Sequence, residues 1–293
     1  MYKFDFVAPR STEDAVSQLR ERGPGGKLLA GGTDLLLQTK ARLVKPSYVV
    51  DLGNLTELAR LEHRPGEGLW IGSMVRMRTI QLSPLFRDRY GVIADGAKLV
   101  GSIQIRNLAT VGGNLCNAAP SADVAPPLIA AGARAEILGP NGSRSLRLDE
   151  FFLGPRRTVL GPADLLLGVW VPEPAARAGG HYLRHTPRKE MDIAVVGVGS
   201  WVALDDGKCA DVRIALGAVA PTPIRAERAE AALRGQHLST ELIEHAASLA
   251  AEEARPISDV RGTAEFRRHL VEVLTRRTLT VAWNNAEHGG TGR

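Results

Sequence analysis

The sequence predicts an α+β protein in two parts, on three observations. Residues 27–53, KLLAGGTDLLLQTKARLVKPSYVVDLG, read as a strand, a glycine pair, an amphipathic helix, a break at Pro46 and a second strand. That strand–turn–helix–strand unit is characteristic of α/β layers. The stretch EPAARAGG, residues 173–180, is small, polar and loop-like, and marks a boundary. Beyond it come three strand-like runs and then amphipathic helix from Arg225 to Asn284. The division expected is residues 1–176, residues 177–287 and a flexible tail at 288–293.

Each element has its own local reason. YKFDFVAP alternates aromatic and polar residues, the period of a strand. STEDAVSQLRER follows as a helix, with Ser11 as its cap and Asp14 three residues on, a loose capping box. Glycines from Gly23 to Gly26 break it. LWIGSMV reads as a strand, and MRTIQLSPLF and GVIADGAKLVGSIQIRN carry helical spacing. TVGGNLCNAAPSAD, residues 110–123, shows neither period and reads as a ribbon of small residues. VAPPLIAAGARAEILG is a helix opened by proline that runs into a strand, and DLLLGVWVPEP is a strand with proline stops. HYLRHT, DIAVVGVGSWVALD and CADVRIALGAVA are the three later strands, the last two joined by a DDGK hairpin turn. The final helices break near Gly235, Pro256 and Gly262.

Composition excludes several functions. Hydrophobic residues make up 44% of the 293, enough for a core, and 37 basic against 32 acidic residues leave a net charge of +5. The arginines are scattered with no block of like charge, which favours a solvated basic surface over nucleic-acid binding. Cys116 and Cys209 are the only cysteines and form no CxxC, so no local thiolate set holds zinc or an iron–sulfur cluster. Two isolated thiols suit a reducing, cytoplasmic setting. No signal-peptide pattern opens the chain, and no apolar run reaches membrane-spanning length. No metal site is expected, since the seven histidines do not fall at metal spacing with carboxylates. There is no GxGxxG: VVGVGSW lacks the third glycine and reads as a buried strand packed closely. GPGGK is no P-loop, and no GxSxG or HExxH occurs.

Two glycine pairs remain. Gly31 and Gly32 sit between a strand and a helix in LLAGGTDLL; Gly112 and Gly113 sit in TVGGNLCNAAP. Glycine lets a backbone adopt positive φ and approach a ligand closely, and successive N–H groups can then cradle a phosphate. Thr33, Thr110 and Asn114 add neutral donors. A lone Gly-Gly pair is usually a plain turn; two of them bordered by small polar residues favour the phosphate reading more, and spacing leaves both readings open.

Five segments appear in a fixed order: AGGTDLL, SIQIRNLATVGGNLCNAAPSADVAPPLIAAGA, FFLGPRRTVL, MDIAVVGVGSWV and ALGAVAPTPIRAERAEAALRG. Together, over nearly the whole chain, they resemble the FAD-binding medium subunit of the molybdenum hydroxylases, the xanthine dehydrogenase and carbon monoxide dehydrogenase family. The resemblance implies an N-terminal FAD domain of the vanillyl-alcohol-oxidase type made of two α/β subdomains. It implies a C-terminal domain with a three-stranded antiparallel sheet and a helical bundle. Carried over by position, the FAD-binding residues are Lys27, Leu28, Leu29, Ala30, Gly31, Gly32, Thr33 and Asp34 in the first loop. Thr110, Val111, Gly112, Gly113 and Asn114 form the second, both loops holding the pyrophosphate. Asp123, Leu166 and Arg184 fall on the flavin side, Arg184 where many relatives carry lysine.

The same resemblance implies no catalytic residue in this chain, since electron transfer needs neighbouring cofactors rather than a proton-transferring side chain. A large subunit would carry the molybdenum–pterin cofactor and a small one two [2Fe–2S] clusters, assembled as a dimer of heterotrimers. Electrons would pass from the clusters to FAD and on to an external acceptor. The substrate and the acceptor are not written in this chain. A stand-alone flavoprotein oxidase of the same fold, or a scaffold that has lost FAD, are the alternatives. Cys116 reads as a small packing residue beside the flavin site.

Overall fold

The computed structural model describes residues 3–188 and 191–289. In chain order it begins with β1 (Asp5–Val7), α1 (Thr12–Arg22), β2 (Gly26–Leu29), α2 (Leu35–Lys40) and β3 (Tyr48–Asp51). The three strands are parallel in the order β1-β3-β2, so the connections cross over through the helices. Ser11 Oγ accepts the Asp14 N–H at 3.1 Å and starts α1. The reciprocal half of the capping box is displaced: the Asp14 carboxylate takes the Arg10 N–H at 2.9 Å, not that of Ser11. Gly23, at φ 69°, ends the helix.

A second layer follows: β4 (Leu61–Arg64), β5 (Gly68–Gly72), α3 (Met77–Leu82), α4 (Pro84–Arg89), α5 (Gly91–Ala97), α6 (Ile103–Arg106), α7 (Val111–Asn117), α8 (Ala125–Ala130), β6 (Arg134–Gly139), β7 (Gly142–Arg147), β8 (Phe152–Gly154), β9 (Arg157–Thr158) and β10 (Leu165–Pro172). Five of these strands form a sheet in the order β4-β5-β10-β6-β7, every pairing antiparallel, and β8 and β9 form a small ribbon. β10 is central, which explains why DLLLGVWVP is so apolar. β4, β7, β8 and β9 carry too few apolar residues for a sequence pattern.

The glycine ribbon is a correction. Residues 111–117 are the helix α7, and the second glycine pair lies inside its first turn. Thr110 caps it, its Oγ1 accepting the Gly113 N–H at 3.1 Å. The helical period was present but ran for one repeat: Val111 and Leu115, four residues apart, are the buried face. Gly112 is required by packing, because a Cβ there would lie 2.5 Å from Ser73 Cβ and 2.9 Å from Ser73 O. Ala118, at φ 45°, closes the helix.

The remaining elements are β11 (Ala178–His185), β12 (Val196–Asp205), β13 (Lys208–Gly217), β14 (Ile224–Arg225), α9 (Glu227–Leu233), α10 (Thr240–Glu253) and α11 (Ala264–Glu287). The strands pair antiparallel in sequence order. Three were expected; the fourth, β14, is two residues long and leaves no pattern. Asp206 and Gly207, at φ 47° and 75°, make the primed turn that joins β12 to β13. The loop assigned to residues 173–180 is shorter than expected, because β11 begins at Ala178. Gly179 belongs to packing: a Cβ there would sit 2.5 Å from Ala282 O on α11. Residues 290–293 of the expected tail lie outside the described residues.

β12 is buried at every position from 196 to 204. α11 covers one face of its sheet, and α8 of the preceding part meets the other. The largest apolar core therefore runs across the boundary, joining Leu69, Ile71, Phe86 and Leu128 to Tyr182, Trp201 and Ala215. Two further cores lie under α9–α11 and under the parallel layer.

Candidate cofactor site

The site grows from the end of β2. The chain turns through Ala30–Asp34 before α2, with Gly32 at φ +72°. Gly31 lies against the next segment so closely that a Cβ would sit 2.0 Å from Leu108 O. Residues 108–110 lead directly into α7, so the first glycine loop and the start of α7 lie side by side. With the turn between β8 and β9 they enclose a cavity of about 710 Å³. That is the size of a site for a sizeable organic cofactor, since such sites run from roughly 300 to 1,000 Å³.

Lys27, Leu28, Ala30, Gly31, Gly32, Thr33, Asp34, Thr110, Gly113 and Asn114 line this cavity. Leu29, Val111 and Gly112 do not line it. The two glycine pairs do different work. Among the described residues, no protein acceptor takes the N–H groups of Gly31, Gly32, Thr33 or Asp34. The second pair's N–H groups are committed: Val111 donates to Val75 O at 3.0 Å and Gly112 to Ser73 O at 2.8 Å. Gly113 and Asn114 donate to Thr110 Oγ1 and O. The second loop thus supplies no free backbone cradle; it fixes the Asn114 side chain, whose Oδ1 is buried with no partner among the described residues. A buried polar atom left unpaired costs about 1–3 kcal/mol. A row of unengaged N–H groups and an unanswered amide on one cavity wall fit the phosphates and polar groups of a dinucleotide.

The electrostatics of the wall are mixed. Burial raises the Asp34 carboxyl above its usual range, and the Arg156 guanidinium works against that rise. Asn117 Nδ2 donates to Asp34 Oδ1 at 3.2 Å, and Gln38 Nε2 to Asn117 Oδ1 at 3.4 Å. Cys116 is exposed on the cavity rather than packed away from it, and the surrounding cavity walls desolvate its thiol and push it up to about 12. Sequence reasoning missed Val100, Gln38, Asn117 and Arg156 as lining residues. The only signal for Arg156 was its place in FFLGPRRTVL, a segment that carried no site assignment.

Asp123, Leu166 and Arg184 do not line this cavity. Asp123 and Arg184 form a buried ion pair across the boundary between the two parts, their side chains 9% and 5% exposed. Tyr182 Oη donates to Asp123 Oδ1 at 2.9 Å. Burial pushes the Asp123 carboxyl up to about 6, against the pull of Arg184 and Tyr182. Burial likewise raises the Tyr182 phenol well above its ordinary value. Leu166 is buried in β10 beside a bulge between Leu166 and Gly168. Residues 118–123 connect the cavity to this cluster. No group of histidine, cysteine and carboxylate side chains suited to a metal occurs among the described residues.

Residues 2–174 match the family model described as the FAD binding domain in molybdopterin dehydrogenase, and residues 181–282 match the CO dehydrogenase flavoprotein C-terminal domain. The putative xanthine dehydrogenase FAD-binding subunit of Escherichia coli (strain K12) is 32% identical over 95% of this chain and 97% of its own. The nicotine 6-hydroxylase medium subunit of Paenarthrobacter nicotinovorans is 34% identical over 94% of this chain and 96% of its own. A solved chain of carbon monoxide dehydrogenase from Hydrogenophaga pseudoflava, in a form lacking the Mo-pyranopterin moiety of its molybdenum cofactor, superposes with a TM-score of 0.92 at 35% identity. It covers 97% of this chain and 98% of that one. On these matches the chain belongs to the FAD-binding medium subunits of the molybdenum hydroxylases of xanthine dehydrogenase and carbon monoxide dehydrogenase type.

Proposed function

We propose that the chain carries FAD as the electron-transfer subunit of a heteromeric molybdenum hydroxylase. A small partner subunit would deliver electrons from two [2Fe–2S] clusters, and a large molybdopterin-binding subunit would hydroxylate the substrate. The complex would be a dimer of heterotrimers. FAD, when bound, supplies the capacity to take up electrons and pass them to an external acceptor.

The residues of this chain would bind and orient. The free N–H groups of Gly31–Asp34 would hold the pyrophosphate, with Thr33, Asn114 and Lys27 around it. The Asp123–Arg184–Tyr182 cluster and Leu166 would define the position of the flavin end. Residues 1–176 would form the FAD-binding domain and residues 177–287 the C-terminal domain. The observation that carries this reading is the row of unengaged backbone donors on one wall of a dinucleotide-sized cavity.

Purified chain incubated with FAD should retain it through gel filtration and show a perturbed flavin spectrum. Addition of the reduced partner subunits should then bleach that spectrum. A chain that stays colourless with FAD, or that oxidises an organic substrate without partners, overturns the proposal.

A further inference from the structure

The cavity wall poses a charge problem. A dinucleotide brings a pyrophosphate dianion, and neutral N–H groups alone must answer it if no cation is near. The second glycine pair cannot help, since its N–H groups are taken inside the protein. Four charged side chains line the cavity: Lys27, Asp34, Arg156 and Asp164. Asp164 is engaged by Arg144 at 2.7 Å and by the Gly161 N–H at 2.7 Å. Among the described residues, no hydrogen bond or ion pair engages the side chains of Lys27 or Arg156.

Arg156 is also held where it is by its backbone. It sits at φ 60° in the turn between β8 and β9, and its N–H donates at 3.0 Å to the carbonyl of Ala118, itself left-handed at φ 45°. A non-glycine residue in that region is uncommon and persists only where its surroundings hold it there. Two such residues, bonded to each other, tie the β8–β9 turn to the end of α7 and bring Arg156 to the cavity wall across from the first glycine loop. Its guanidinium acts electrostatically on the Asp34 carboxylate, on that loop.

We propose that Arg156 is the cation that anchors the cofactor's pyrophosphate, exchanging its interaction with Asp34 for one with the phosphates. This rests on the assignment of the cavity to FAD. A guanidinium offers a planar fork that matches phosphate oxygens in two contacts, which a lysine cannot reproduce. The arrangement makes Arg156 a binding residue that selects for a phosphorylated, dinucleotide flavin.

The test is the dissociation constant of FAD, followed by flavin fluorescence at several salt concentrations. The wild-type chain is compared with Arg156→Gln, Arg156→Lys, Asp34→Asn and the control Arg228→Gln, each checked for folding by circular dichroism. Arg156→Gln is expected to weaken FAD by on the order of tenfold and to flatten the salt dependence, because a screened charge contact is lost. Arg156→Lys should keep the salt dependence with intermediate affinity. Asp34→Asn should tighten FAD by removing an acid beside the phosphates, and Arg228→Gln, which breaks only an exposed pair with Glu252 outside the cavity, should leave the salt dependence as in wild type. Wild-type affinity in Arg156→Gln, or weaker binding with an unchanged salt slope, overturns the proposal. A wild-type chain that binds no FAD removes instead the assignment of the cavity on which it rests.

Discussion

Gly32 and Gly112 are both glycines in glycine pairs, yet they are glycine for different reasons. Gly32 needs a left-handed backbone at the cavity; Gly112 needs absence of volume against Ser73. Gly32→Val is therefore expected to abolish FAD retention while thermal unfolding shifts only modestly. Gly112→Ala is expected to cost stability by about 1–3 kcal/mol through overpacking, read by chemical denaturation. Asp123 gives a prediction with a sign. Its folded-state pKa lies at about 6, above the ordinary 3.8. The folded chain thus binds more protons than the unfolded one between those values, so this group's contribution to stability falls as pH rises from about 4 to about 6. Melting temperatures across that window should show the slope, and Asp123→Asn should remove it. At neutral pH the same variant leaves Arg184 buried without its counter-charge, which costs about 3–5 kcal/mol when a buried pair is broken.

At the scale of elements, α7 shows what a sequence hides. A helix of seven residues offers one i,i+4 repeat, and two glycines mask even that. Its existence rests on Thr110 and on contact with Ser73 and Val75, none of which periodicity reports. Thr110→Ala should lower stability by about 1 kcal/mol through loss of the cap. It should also weaken FAD, since the Gly113 N–H loses its Thr110 Oγ1 acceptor and the turn that carries Asn114 would fray; urea denaturation and FAD titration check the two effects. The long elements were legible because their patterns repeat: α10 and α11, the β12–β13 hairpin with its Asp-Gly turn, and the apolar β10. In the site, the first glycine loop was legible as a loop next to a strand end. Arg156, Gln38 and Asn117 were not, because they reach the cavity from segments 39 to 118 residues away from one another in the chain or from a left-handed turn that no propensity reveals. The short, polar strands β4, β7 and β14 escaped for want of apolar alternation.

For the whole molecule, the relation between its two parts matters most. Their family models divide at residues 174 and 181, but the largest core does not divide there. His181 Nδ1 meets Asp95 at 2.7 Å, and the Tyr182 N–H donates to the same carboxylate at 3.3 Å. Glu173, at the start of the connection, is held by His63 at 2.7 Å and by Arg89. Calorimetry should therefore show one unfolding transition rather than two. A chain truncated after residue 176 should expose the faces of α5 and α8 that β11 and β12 cover, and should aggregate. No helix among the described residues is long and apolar enough to cross a membrane.

Residues 118–123 have a mechanical meaning. Their first carbonyl is gripped by the Arg156 N–H, their middle by the Ala218 N–H bonded to Pro120 O at 2.8 Å, and their last side chain by Tyr182 and Arg184. A strip fastened at both ends and in the centre is a ruler. It fixes the separation between the place that would grip phosphate and the place that would meet the flavin, and with it the length of molecule that can be gripped at both. Adding a single residue to that strip would put one end out of station, while the same insertion in the turn after β12 would change nothing the cofactor could feel.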